Sequence, residues 1–175
     1  MFFKFCHDQV AKVCETAANS LAFILERFSD NPHKQDSIVK VVKKNFLKSK
    51  TYKKRQLFVV MCGEAMMKKE LFERDFKADM LSLVADPVSN VRLALARVLR
   101  HHFLNQISGA FVFDIEVNDA VRLLKLDDCK DVKGFVEDIQ TFPMNEEKVV
   151  EMKEFQERLE KLNKNMEDTV TSQEE

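Results

Sequence analysis

The chain has 175 residues, 45% hydrophobic and 33% charged, with 28 basic residues against 29 acidic ones. That length supports an apolar core without disulfide bracing, and the charge balance gives no global pull toward nucleic acid. No uncharged apolar run approaches the ~20 residues that span a membrane, and with only three Gly and three Pro the composition points to an all-α protein.

Taken in chain order, residues 8–28 place Val10, Val13, Cys14, Ala17, Leu21, Ile24, Leu25 and Phe28 on three- and four-residue steps, which predicts one amphipathic helix. Asn31-Pro32 ends it. A second helix is expected over about 34–47, with Ile38, Val41, Val42, Asn45 and Phe46 on its apolar face, until Ser49-Lys50-Thr51 interrupts. A third follows over 52–68 and a fourth over 70–85, closed by Asp86-Pro87 because proline disfavours a helical residue before it. Ser89 or Asn90 is then placed to cap a fifth helix over 89–105. Residues 107–117 read as a packed loop in which Phe111 and Phe113 are candidate exposed anchors. Asn118 or Asp119 is expected to open a short helix to about 126, and 130–141 to be helical until Phe142-Pro143. A last helix is expected over about 145–166, with Met152, Phe155, Leu159, Leu162 and Met166 in a stripe that suits a capping helix or a coiled-coil seam. The acidic stretch 167–175 reads as a flexible tail.

About eight helices joined by short turns make antiparallel neighbours, and such helix pairs stack into an α-solenoid. The period supports this. Asp86-Pro87-Val88-Ser89-Asn90-Val91-Arg92 is echoed at Asp128-Cys129-Lys130-Asp131-Val132-Lys133, so Val91 and Val132 stand 41 residues apart; Arg55 and Arg92 stand 37 apart. Both intervals suit HEAT-type units. Mechanically, Pro87 stops one helix, Asp86 satisfies free amides, Val91 enters the core and Arg92 reaches an acidic turn of the adjacent unit. The expected ladder pairs Asp86 and Asp128 with Arg92 and Lys133, each exposed pair contributing ~0.5–1 kcal/mol.

The segment Ala85-Asp86-Pro87-Val88-Ser89-Asn90-Val91-Arg92 resembles part of the scaffold subunit of protein phosphatase 2A, and Tyr52-x-x-Arg55-x-Leu57-Phe58 with Phe76-x-x-x-Met80-Leu81 lies upstream in the same order. The resemblance covers about 50–105, and beyond it the chain is similar only as repeats. It implies a HEAT-repeat scaffold or regulatory subunit of protein phosphatase 2A/4-type serine/threonine phosphatases. Its turns would form a ridge that grips a catalytic subunit. On that basis 1–142 is a run of HEAT-like repeats within a longer solenoid, 143–166 a capping or coiled-coil-like helix and 167–175 the tail.

Three turns should line the ridge: 48–52, 86–90 and 127–131. The candidate partner-binding residues are Lys48, Lys50, Tyr52, Lys53, Lys54, Val88, Ser89, Asn90 and Lys130; Arg55, Asp86, Pro87, Val91, Arg92, Asp128, Val132 and Lys133 are structural. Lys40, Lys43, Lys44, Lys48, Lys50, Lys53, Lys54 and Arg55 form a basic run with no acid between Ser37 and Gly63, suited to an acidic protein groove. Nucleic acid is disfavoured, because only Tyr52, Phe46 and Phe58 lie nearby and two of those belong to the core. His101 and His102 read as cations at a helix C-terminus. Cys6, Cys14, Cys62 and Cys129 form no Cys-x-x-Cys pair, no thiol has a His placed to activate it, and no phosphate-binding Gly loop is present. The reading is a cytoplasmic, non-catalytic binding protein with no cofactor or metal. The rival function is a transport or assembly adaptor with a different protein cargo.

Overall fold

The computed structural model describes residues 2–104 and 114–141, and every regular element among them is helical. The helices are α1 (Phe2–Phe5), α2 (Ala11–Asn19), α3 (Leu21–Glu26), α4 (Pro32–Val42), α5 (Tyr52–Ala65), α6 (Lys69–Asp75), α7 (Lys77–Ser82), α8 (Ser89–Leu104), α9 (Ile115–Lys125) and α10 (Lys130–Val136). A π-helical turn at Lys43–Leu47 extends α4, and a 3₁₀ turn at Leu83–Ala85 extends α7. Most of the expected 107–117 loop, the Phe142-Pro143 stop, the 143–166 helix and the 167–175 tail lie outside the described residues.

Several expected boundaries move for local reasons. The 8–28 helix divides at Ser20, whose hydroxyl donates to the Ala17 carbonyl at 2.7 Å. It buries Cys14, Ala18, Leu21, Ala22 and Leu25, whereas Val10 stays 56% exposed. Asn31 is an N-cap as well as a break: its side chain accepts from the Lys34 amide at 3.1 Å, and Pro32 fills the first turn, where a missing N–H costs nothing. The second helix therefore starts at Pro32. Its buried face is Gln35, Val39, Val42 and Phe46, and Val41 and Asn45 of the expected stripe are exposed. The 70–85 helix kinks at Phe76, where φ is −127°, yet Phe72, Phe76 and Met80 keep their expected burial. Asp114 opens α9 by accepting from the Val117 amide at 3.1 Å, four to five residues before the expected Asn118 or Asp119 cap. Asn118 is buried, with its amide on the Asp114 carbonyl. The 130–141 helix stops at Val136.

α5 packs between α2 and α8, and α8 between α5 and α10. One apolar core runs through these contacts from Cys6 to Ile139, with Phe46, Phe58, Phe72, Phe76, Leu95 and Leu99 fully enclosed. Each such side chain contributes roughly 1.5–3 kcal/mol by leaving water. Val91 and Val132 are both 0% exposed, as the motif requires. α5 and α8 pack tightly at Gly63, where an added Cβ would lie 3.0 Å from Val98 Cγ1.

The polar links between segments have a common reach. Among the described residues, most side-chain hydrogen bonds between distant helices span 31 to 42 residues: Arg55 to Asp86 spans 31, Lys77 to Asp114 spans 37, and Lys68 to Glu26 spans 42, whereas Lys125 to the Ile139 carbonyl spans 14.

Candidate functional site

The turn that precedes each helix of the α2, α5, α8 and α10 row has the same hydrogen-bonded form. In each, a side-chain oxygen accepts from the backbone amide two residues on: Asp8 from Val10 at 2.9 Å, Ser49 from Thr51 at 3.1 Å, Asp86 from Val88 at 2.9 Å and Asp127 from Cys129 at 2.9 Å. The intervals are 41, 37 and 41 residues. Asp86 thus shapes the turn ahead of α8, and Ser89, one of the expected caps, is already the first residue of α8.

Six residues after each turn oxygen stand Cys14, Arg55, Arg92 and Lys133. The first three bond back to the carbonyl of their own turn: Cys14 Sγ donates to Asp8 at 3.1 Å, Arg55 Nη1 to Ser49 at 2.8 Å, and Arg92 Nη1 to Asp86 at 2.8 Å. The two arginines also reach forward. Arg55 grips Asp86 with Nε and Nη2 at 2.5 and 2.9 Å; Arg92 grips Asp127 at 2.6 and 2.9 Å and adds Asp128 Oδ1 at 2.7 Å. The planar guanidinium supplies this fork of donors.

The expected ladder is corrected in two respects. Arg92 meets Asp128 and, with a two-point fork, Asp127 of the turn ahead; Asp86 belongs to Arg55, and Lys133 is exposed with no ion pair among the described residues. The pairs are also buried: Arg92 and Asp127 side chains are 4% and 5% exposed, Arg55 and Asp86 13% and 3%. Removing one partner of such a pair costs far more than the expected contribution of an exposed pair. The Asp128 carboxyl is held below the ordinary carboxylate range by its hydrogen bond with Asp127 and by Arg92, against the opposing effect of burial.

The three expected turns are therefore brought together along one edge. Arg55 bonds the Ser49 and Lys50 carbonyls on one side and Asp86 on the other, and Gln56 donates to the Asn90 carbonyl at 2.9 Å. Lys48, Lys50, Lys53, Pro87, Asn90 and Lys130 are exposed there, while Tyr52, Lys54, Val88 and Ser89 are half-buried. Of the basic run, Lys43 pairs with Asp79 at 2.7 Å and Arg55 with Asp86; Lys40 and Lys44 are exposed with the edge lysines.

Sequence reasoning missed several polar joints. Lys77 bonds Asp114 and Glu116, each at 2.6 Å, and although burial opposes its charge the two carboxylates raise its pKa. Gln35 bonds the Leu25 carbonyl and accepts from Arg74 at 2.6 Å. Arg100 holds Asp138 and the Phe135 carbonyl. His102 is no surface cation: it is buried with Nε2 on the Gly63 carbonyl at 3.0 Å, and burial lowers its pKa. Only His101 of the pair is exposed.

Burial pushes the Cys6 thiol up to about 11 and raises Cys62 well above the ordinary range, so both stay protonated. No group of three or more His, Cys, Asp or Glu is arranged to hold a metal among the described residues, and no helix among them is long and apolar enough to cross a membrane. A groove of about 710 Å³ crosses α2, α5 and α8, with Val60, Gly63 and Val98 in its lining and Glu15, Glu64 and Arg97 contributing charge. No family model matches the chain, and no curated protein or solved structure matches it.

Proposed function

We propose that the chain is a non-catalytic scaffold or regulatory subunit built from HEAT-like helix pairs, and that it binds a serine/threonine protein phosphatase catalytic subunit in the cytoplasm. The phosphatase is of the protein phosphatase 4 type, and the chain is a relative of protein phosphatase 4 regulatory subunit 4. The observation that carries this reading is the turn edge, where two buried arginine forks fix successive turns against one another. A rigid row of turns with exposed Lys48, Lys50, Lys53, Asn90 and Lys130 offers a pre-organised, largely basic strip. Such a strip suits an acidic face of a folded partner. The 31–42-residue reach of the polar joints supports the solenoid reading, because in such arrays each unit contacts only its neighbours.

The test is affinity purification of the tagged chain from cytosol with mass spectrometry, beside a variant carrying Lys50→Glu, Lys53→Glu and Lys54→Glu. A phosphatase catalytic subunit should be recovered with the parent chain and lost with the variant, while the variant keeps its helical circular dichroism. Recovery of transport or assembly cargo without a phosphatase would transfer the function to an adaptor on the same scaffold.

A further inference from the structure

We infer that the groove crossing α2, α5 and α8 is a docking site for a short peptide segment of a partner, one that carries a Lys or Arg and an Asp or Glu on opposite flanks of an apolar side chain. Three helices build it: α2 contributes Asn19, α5 contributes Val60, Gly63 and Glu64, and α8 contributes Arg97 and Val98. Its floor is apolar and fixed. His102 bonds the Gly63 carbonyl at 3.0 Å, and the absence of a Cβ at Gly63 lets Val98 close on α5. An occupant therefore meets a surface that is already formed, and the volume of about 710 Å³ lies within the ~300–1,000 Å³ range of binding pockets.

The polar groups of the walls are not spent on the fold. Glu64 is half-buried and its carboxylate has no partner among the described residues. Arg97 rests on the Phe135 ring at 4.9 Å and makes no hydrogen bond or ion pair among them. These two side chains line one groove with opposite charge, yet they do not pair with each other. Asn19 adds an orphan acceptor, because its Oδ1 is buried with no hydrogen-bond partner among the described residues. The terminal torsion of an asparagine is broad and roughly two-fold, so the amide can turn that oxygen toward an N–H donor in the groove.

Walls of this kind call for a ligand of both signs. A cation on the α5 flank meets Glu64 and the Asn19 oxygen, and a carboxylate on the α8 flank meets the fork of N–H groups on Arg97. Between them an apolar side chain lies on Val60 and Val98, beside Met67, which is 51% exposed. A peptide carries all three on one backbone, and its amides supply the N–H donor as well. The site is separate from the lysine strip, since Glu64 stands twelve residues after Tyr52 on α5, about 18 Å away at the helical rise. It requires no phosphatase, so the two readings fail independently.

The test pans a display library of random short peptides on the full chain and measures the enriched sequences as fluorescently labelled synthetic peptides. They should pair a Lys or Arg with an Asp or Glu around an apolar residue, and they should slow amide exchange in α2, α5 and α8. Glu64→Lys should weaken them several-fold with the melting temperature unchanged, and a peptide whose Lys or Arg is replaced by Glu should regain affinity for that variant. The reciprocal swap, Arg97→Glu, should favour a peptide whose acidic residue is replaced by Lys. No enrichment, binding indifferent to Glu64→Lys, binding lost instead with Lys50→Glu, Lys53→Glu and Lys54→Glu, or free arginine that binds as tightly as the peptides would each overturn the inference.

Discussion

The joint between α2 and α5 and the joint between α8 and α10 use the same turn but are held differently. At the first, Cys14 occupies the arginine position and Ser49 the carboxylate position, so each side chain bonds only within its own unit. Apolar packing in the core joins those helices, with the exposed Lys68–Glu26 pair at the periphery. At the second, Arg92 ties its own turn to the next through three guanidinium nitrogens, and the Arg92 and Asp127 side chains are almost wholly removed from water. The contrast separates two tasks that the Asp-Pro motif runs together. Shaping the turn needs one acceptor oxygen, which serine supplies as well as aspartate; linking units needs a carboxylate and a guanidinium together.

The sharpest way to break the comparison is Asp127→Ala. It removes the two-point fork on the buried Arg92 guanidinium and leaves it Asp128 Oδ1 and the Asp86 carbonyl, and urea unfolding should register a loss of about 3 kcal/mol. Asp86→Ala should cost somewhat less, about 1.5–3 kcal/mol, because Arg55 retains part of its contact with water and the carbonyls of Ser49 and Lys50. Equal losses at the two sites would show that burial does not rank the joints.

A smaller effect belongs to His102. Its folded pKa lies below the ordinary 6.5, chiefly through burial, with the neighbouring His101 charge adding to the depression and the Gly63 bond opposing it. The unfolded chain therefore takes up the proton first, and stability that is complete above about pH 6.5 declines as pH falls below it. Thermal melts across that range should show the decline, and His102→Gln, which keeps an N–H donor but cannot titrate, should flatten that part of it. The smallest change is expected from Ser49→Asp, which preserves the acceptor for Thr51 without giving Cys14 a partner; its stability should stay within about 0.5 kcal/mol of the parent.

Much of the frame was legible from residue pattern. Val91, Val132, Phe72, Phe76 and Met80 fell on helical steps and are buried, and the turns at 49, 86 and 127 were marked by small polar residues, proline and acid. The pairing of the ladder was not legible. Sequence identifies a cation six residues after a turn but not which carboxylate it meets, since that depends on how far one helix pair is offset from its neighbour. That the Asp86 carboxylate belongs to Arg55, with only its carbonyl left to Arg92, therefore emerges only from the structure. His102 was misjudged for a similar reason: its place late in α8 suggested a solvated charge, and only the close passage of α5 at Gly63 turns it inward. The Asp114 cap was hidden because 107–117 read as one packed loop, and only the structure shows the aspartate receiving the Val117 amide.

The narrow 31–42-residue reach of the polar joints has a kinetic consequence. Closing a chain segment costs entropy that grows only with the logarithm of its length, so the shortest and longest of these closures differ by ~0.3 kcal/mol. No joint is entropically privileged over another as the place where folding starts. The order of assembly should therefore follow contact strength, beginning around α5, α8 and α10 where arginine joints coincide with the core, and spreading outward to α2 last.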